Sequence, residues 1–190
     1  MLDDAISVIV CGASAAVLLP SYAMQLRATT RQPVRLLLTY SAEQFVQPRT
    51  LGWFADEVYG SADAELVPTE FARRSRLLVV LPASAHTMAA AALGLAGSPA
   101  QTVLLAATGP VLFFPSMNRA MWERPSTRRH VRTLREDGHR VIDPIEATVY
   151  ENWQRRSVQA PSLPGPVDAA ALITAEAGTR SIAAANGAWS

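Results

Sequence analysis

Short apolar runs rich in branched side chains alternate along this chain with stretches of helical period. Residues 5–11 (AISVIVC), 34–39 (VRLLLT), 77–81 (LLVVL), 102–106 (TVLLA) and 111–114 (VLFF) each have the length and continuity of a buried strand, and 140–142 reads as a last, short one. Gly12-Ala13-Ser14 turns the first run into a helix ending near Arg27, with Ser14 placed to cap it. A helix-like stretch carries Phe45, Leu51, Phe54 and Val58 as its apolar face. An alanine-rich helix starts near Thr87. Residues 126–137 form an amphipathic helix, with Val131 and Leu134 inward and Gly138 as its stop. Continuous apolar strands alternating with helices predict a single-domain, three-layer α/β fold with a parallel sheet covered on both faces, of the Rossmann-like or flavodoxin-like kind. Ligands of such sheets sit at the carboxyl ends of the strands, here the turns after Cys11, Thr39, Leu81, Ala106 and Phe114. Past residue 145 the pattern degrades. Residues 161–166 (PSLPGP) read as a linker and 167–177 as a terminal helix.

Composition narrows the chemistry. With 49% hydrophobic and 17% charged residues the 190-residue chain is globular. Its formal net charge of +1 gives no electrostatic case for nucleic acid or a membrane surface. All 17 basic residues are arginine, so no lysine Schiff base is available. One cysteine, Cys11, excludes an internal disulfide and a multi-thiolate metal site, and the three histidines form no ligand spacing, so no metal is expected. No apolar segment reaches the ~20 residues of a membrane span. The first apolar run follows Asp3-Asp4 rather than a basic leader, and a cytoplasmic protein is expected.

The strand-end turns hold the candidate chemistry. Gly12-Ala13-Ser14 opens a helix whose free N–H groups suit a phosphate, with the Ser14 hydroxyl as a further donor; it reads equally well as a tight strand–helix turn. Thr39 and Ser41 put two more hydroxyls on that edge, although Ser41 also serves as a plain cap. In Pro82-Ala83-Ser84-Ala85-His86-Thr87 small residues let backbone approach a flat ligand and polar ones reach its edge. In Pro115-Ser116-Met117-Asn118-Arg119-Ala120-Met121-Trp122 an amide and two thioethers flank an indole just after a buried strand. Core filling and helix capping account for either motif taken alone.

Together, PASAHT and PSMNRAMW resemble the PASANT and PxMNxxMW signatures of the homo-oligomeric flavin-containing cysteine decarboxylases, a family that includes phosphopantothenoylcysteine decarboxylase and the peptidyl-cysteine decarboxylases of epidermin-type and linaridin-type peptide biosynthesis. The resemblance runs from Ala5 to about Pro144. It implies FMN as cofactor, with the phosphate at Ala13, Ser14, Thr39 and Ser41, and the ring along Ser84, Ala85, His86, Thr87 and Ala106. It implies that Asn118 binds the carboxylate of the substrate cysteine and that Met117 and Met121 shape its pocket. The flavin accepts a hydride equivalent, the thioaldehyde so formed serves as electron sink, and CO₂ leaves an enethiol. On this resemblance residues 1–145 are the flavoprotein domain, 146–160 a candidate substrate clamp in which Trp153, Arg155 and Arg156 are placed to grip a peptide, although the same residues read equally as a solvated basic loop, and 161–190 a proline-containing linker and tail. The implied partners are a peptide ending in cysteine, further biosynthetic enzymes, and copies of the chain itself, as a trimer or a dodecamer of trimers.

Three departures stand out. The histidine that the family places fourteen residues before its PASANT proline is Pro68 here. His86 stands where the motif has asparagine, and is open either as a substitute acid or base or as a mere replacement for the amide. Phosphopantothenoylcysteine decarboxylases re-reduce their enethiol with a late cysteine, whereas no thiol follows Cys11 here, which favours a peptide substrate. The alternatives are a phosphopantothenoylcysteine decarboxylase, disfavoured also by the lack of a fused synthetase, and an inactive flavin-binding regulatory subunit. A flavin prenyltransferase of related fold does not fit PSMNRAMW.

Overall fold

The computed structural model describes residues 1–151 and 154–179. Strand β1 (Ala5–Val10) is wholly buried, as its unbroken apolar run requires. A 3-10 turn (Ser14–Leu18) leads into helix α1 (Leu19–Thr29), and β2 (Val34–Leu38) returns to the sheet. Next come a short 3-10 turn (Ala42–Gln44), α2 (Pro48–Leu51), β3 (Glu57–Tyr59) and α3 (Pro68–Arg73). Strand β4 (Ser75–Ala83), α4 (Ala85–Ala92), α5 (Pro99–Leu105) and β5 (Val111–Pro115) form the centre of the molecule. Helices α6 (Arg119–Trp122) and α7 (Pro125–Glu136) precede β6 (Arg140–Val141), and Gly138 ends α7 at φ +86°. A separate antiparallel hairpin, β7 (Ile145–Glu151) and β8 (Arg156–Ser162), is followed by α8 (Pro166–Gly178).

The main sheet is six-stranded and parallel in the order β3-β2-β1-β4-β5-β6. Its reversal point lies between β1 and β4, where the chain leaves the first strand in both directions and a crevice opens at the carboxyl ends. The core splits into two clusters, one on each face of the sheet. α8 packs Ala169, Ala170, Ile173 and Ala177 onto the face that also buries Tyr22 and Leu26 of α1. Among the described residues no helix is long and apolar enough to cross a membrane, and no cluster of metal-ligating side chains occurs.

Four sequence expectations are corrected. Residues 102–106 are not a strand. Ser98 accepts a hydrogen bond from the Gln101 N–H, Pro99 takes the first turn, and Ala100, Val103 and Leu104 are buried at helical spacing, so α5 forms instead. The sixth strand is β3, which interrupts the stretch expected to be one helix; of its supposed apolar face Leu51 is fully buried and Phe45 is 43% exposed. Ser14 does not cap the first helix, whose preceding residue, Ala13, offers no side-chain bond. The strand expected over 77–81 is longer, running as β4 from Ser75 through Pro82 to Ala83.

Candidate active site

Hydrogen bonds across the carboxyl edge of the sheet stitch the strand-end turns together. The Thr39 N–H donates to the Val10 carbonyl, the Cys11 N–H to Pro82 and the Ser116 N–H to Ala83, at 3.0, 3.2 and 2.9 Å. Four strand ends are thereby held in one row. Gly12 is the tightest point: a Cβ there would stand 2.3 Å from Ser41 Cβ and 2.8 Å from the Ser41 carbonyl carbon. Only glycine lets the first and second turns approach this closely.

Above this row lies a cleft of about 740 Å³. Its floor and one wall are Gly12, Ala13, Ser14, Ala15, Ser84 and Ala85, with Leu18 and Tyr22 at the start of α1. Ser116, Met117, Asn118 and Met121 close one end. The opposite wall is the hairpin, through Val149, Tyr150, Glu151 and residues 160–163. Burial along β7 alternates, with Ala147 and Val149 half-buried between exposed neighbours and Glu151 half-buried after the exposed Tyr150. The hairpin thus has an inner face, along which Val149 pairs with Val158 and Ala147 with Ala160.

Asn118 occupies the cap of α6, its Oδ1 accepting the Met121 N–H at 2.9 Å. This capping bond fixes the side chain at the cleft while leaving the amide NH₂ free to donate to an anion. Ser84 caps α4 in the same way, accepting from the Thr87 N–H at 3.2 Å and donating to Thr87 Oγ1 at 3.1 Å. Thr87 also receives the Cys11 thiol at 3.2 Å. That thiol is 1% exposed, and burial lifts its pKa above the ordinary value, outweighing the hydrogen bonds of Thr87 and Ser84 that lower it. Cys11 is a support beneath the floor and does not face the cleft.

The structure brings together Ala13, Ser14, Ser84, Ala85, Met117, Asn118 and Met121. Thr39 and Ser41 stand beside them on the neighbouring turn, Ser41 against Gly12, while Thr39 Oγ1 accepts the Ala42 N–H. Thr87 is buried below Ser84. Other candidates lie elsewhere. His86 is exposed on α4, with Nε2 3.2 Å from the Gln101 amide nitrogen, and does not line the cleft. Ala106 closes α5 just before β5, at the amino edge of the sheet opposite the cleft. Arg155 and Arg156 sit exposed at the hairpin tip, Arg155 at φ +50° and Arg156 bonded to Gln154; Trp153 falls outside the described residues. Pro68 takes the first turn of α3, where a fixed φ and a missing N–H cost nothing. Sequence reasoning missed Tyr22, Val149 and Leu163. The period-two alternation from Ile145 to Glu151 was the signal for the second of these.

The family model described as Flavoprotein matches residues 2–160. The chain belongs to the Flavoprotein family. Among curated flavoproteins it is 30% identical to mersacidin decarboxylase of a Bacillus strain, over 78% of either chain. It is 35% identical to the coenzyme A biosynthesis bifunctional protein CoaBC of Bacillus subtilis, of which it spans 29%. Of solved flavoprotein structures, MrsD from a Bacillus strain superposes with a TM-score of 0.79 at 28% identity, over 92% of this chain and 96% of that one. The FMN-dependent cysteine decarboxylase SpaF gives 0.75 at 29%, over 92% and 97%. An EpiD variant solved with the substrate peptide DSYTC gives 0.83 at 22%, over 91% and 99%, a likeness of fold.

Proposed function

We propose that this flavoprotein catalyses the FMN-dependent oxidative decarboxylation of a cysteine at the end of a peptide, leaving an enethiol, the precursor of aminovinyl-cysteine in ribosomally made peptide natural products. Flavin-dependent cysteine decarboxylation is the activity of its relatives, and FMN is the cofactor. The residues present fit that group. Gly12 lets the turn carrying Ser41 pack directly against the first turn, where a Cβ would collide with it, and Ser14 and Ser84 line the cleft. Ala13, Ser14, Thr39 and Ser41 would hold the phosphate at the start of the first helical turn, and Ser84 and Ala85 the ring.

Bound there, FMN supplies a two-electron acceptor for the cysteine. The chain does the rest by position. Asn118 donates its amide to the substrate carboxylate, a neutral grip that does not hold the leaving CO₂ as an ion pair would. Met117 and Met121 pack against the cysteine side chain, and Val149 and Tyr150 cover the residues before it, which excludes water from the reacting end.

One observation carries the choice of a peptide over phosphopantothenoylcysteine. The chain's single thiol is sealed under the floor of the cleft at 1% exposure, so no cysteine is placed to re-reduce the enethiol. A second reading, a flavin-binding subunit without turnover, is favoured by Pro68 standing where the family carries its histidine. Incubation of the FMN-loaded protein with peptides ending in cysteine, and separately with phosphopantothenoylcysteine, decides among the three by mass spectrometry. Loss of CO₂ plus two hydrogens from the peptide is expected. Conversion of phosphopantothenoylcysteine alone, or of neither, contradicts the proposal. We take the working form to be a homo-oligomer, a trimer or a dodecamer, to be checked by light scattering.

A further inference from the structure

The hairpin has little of its own to hold it over the cleft. A lone two-stranded ribbon is marginal in water, and β7 and β8 contain no residue that is fully buried. At its far end Leu163 is buried and the Pro164 carbonyl accepts the Tyr22 hydroxyl at 2.8 Å. Along its length, among the described residues, one side chain bonds both of its strands. Arg119, which follows Asn118 and begins α6, places Nη2 2.6 Å from Glu146 Oε2 on β7 and 3.2 Å from the Gln159 carbonyl on β8. Its Nη1 lies 3.3 Å from Glu123, one turn along its own helix. A single exposed ion pair contributes little. This guanidinium, however, bonds both strands at once, and Glu123 holds it toward them.

We propose that Arg119 is a positioning residue, a latch that ties the hairpin wall to the loop presenting Asn118, so that the peptide's upstream residues and its terminal carboxylate are held as one unit. This rests on the peptide-decarboxylase reading for its consequence in turnover, but not for the latch itself. A peptide long enough to reach Val149 and Tyr150 profits from the fastened hairpin, whereas a dipeptide ending in cysteine, held at Asn118, profits much less.

The test uses the FMN-loaded full chain with Arg119→Gln, Arg119→Lys, Glu146→Gln and the double variant Arg119→Gln/Glu146→Gln. Without substrate, trypsin cleavage after Arg155 and Arg156 reports on hairpin opening. It should quicken about fivefold in Arg119→Gln and Glu146→Gln, no further in the double variant, and be partly restored in Arg119→Lys. With substrate, KM for a pentapeptide should rise about fivefold while KM for the dipeptide changes much less. Cleavage at the unmodified rate in Arg119→Gln overturns the latch. Faster cleavage with equal KM changes for both peptides overturns its role in positioning substrate. If the unmodified chain turns over no peptide, the decarboxylase reading fails, and the cleavage rates still decide whether the latch exists.

Discussion

The two walls of the cleft are built on different physics. The sheet wall consists of turns whose backbone groups are bonded across strand ends, over side chains with almost no solvent exposure. It is part of the core, and any change there must be absorbed by close-packed neighbours. The hairpin wall is half-exposed, antiparallel, and held by one buried leucine, one tyrosine hydroxyl and an arginine on the surface. A prosthetic group that stays needs the first kind of wall; a peptide that enters and leaves needs the second, since segments of low local stability are those able to open. On the proposed function, FMN would take the sheet wall and the peptide the hairpin wall.

The largest effect should come from filling the tightest point of the sheet wall. Gly12→Ala puts a methyl against Ser41, and forced overpacking of about 1–3 kcal/mol, felt where the two turns meet, corresponds to roughly five- to 150-fold weaker FMN binding, measured by flavin titration. If Gly12→Ala binds FMN normally, the two turns are not the cradle. Asn118→Asp separates structure from grip at the end where the walls meet. Aspartate caps α6 as well as asparagine does, but it loses the amide donor and sets a negative charge against the substrate carboxylate. A fall of about ten- to 100-fold in kcat/KM is expected, with thermal stability and FMN content kept.

On the hairpin side, Leu163→Ala removes the buried anchor and costs about 2 kcal/mol of stability. Peptide KM should rise while FMN affinity stays within about twofold. Equal loss of both ligands would erase the distinction between the walls. The smallest effect is expected of His86→Asn. Because His86 Nε2 turns toward Gln101 on α5 and away from the cleft, turnover should stay within about threefold. A fall beyond about 100-fold, with FMN retained, would restore it as acid or base.

The sequence and the structure part company where local signals were ambiguous. The four central strands and their turns were readable because buried parallel strands are unbroken apolar runs, and these set the row in which Ser14, Ser84 and Asn118 stand. Residues 102–106 have the same apolar look, yet the deciding signal was the Ser98-Pro99 start upstream, which makes a helix. That error also placed Ala106 at the wrong edge of the sheet. β3 is three residues long, too short to announce itself within a stretch that also carries helical spacing. Sequence reasoning passed over the alternation from Ile145 to Glu151 as a degraded pattern, and only the family resemblance marked 146–160 as a substrate clamp; its fastening over the cleft depends on Leu163 and Arg119, contacts between residues far apart in the chain. His86 lies in the right motif, but its side chain direction is set by the turn of α4, which spacing alone does not reveal.

The most direct test of the central claim is the absorption spectrum of the protein after saturation with FMN and removal of the excess. A yellow protein holding one flavin per chain is expected, with the flavin lost in Gly12→Ala and kept in Leu163→Ala. A colourless protein, or one that loses its flavin equally in both variants, would contradict the assignment of the cofactor to the sheet wall.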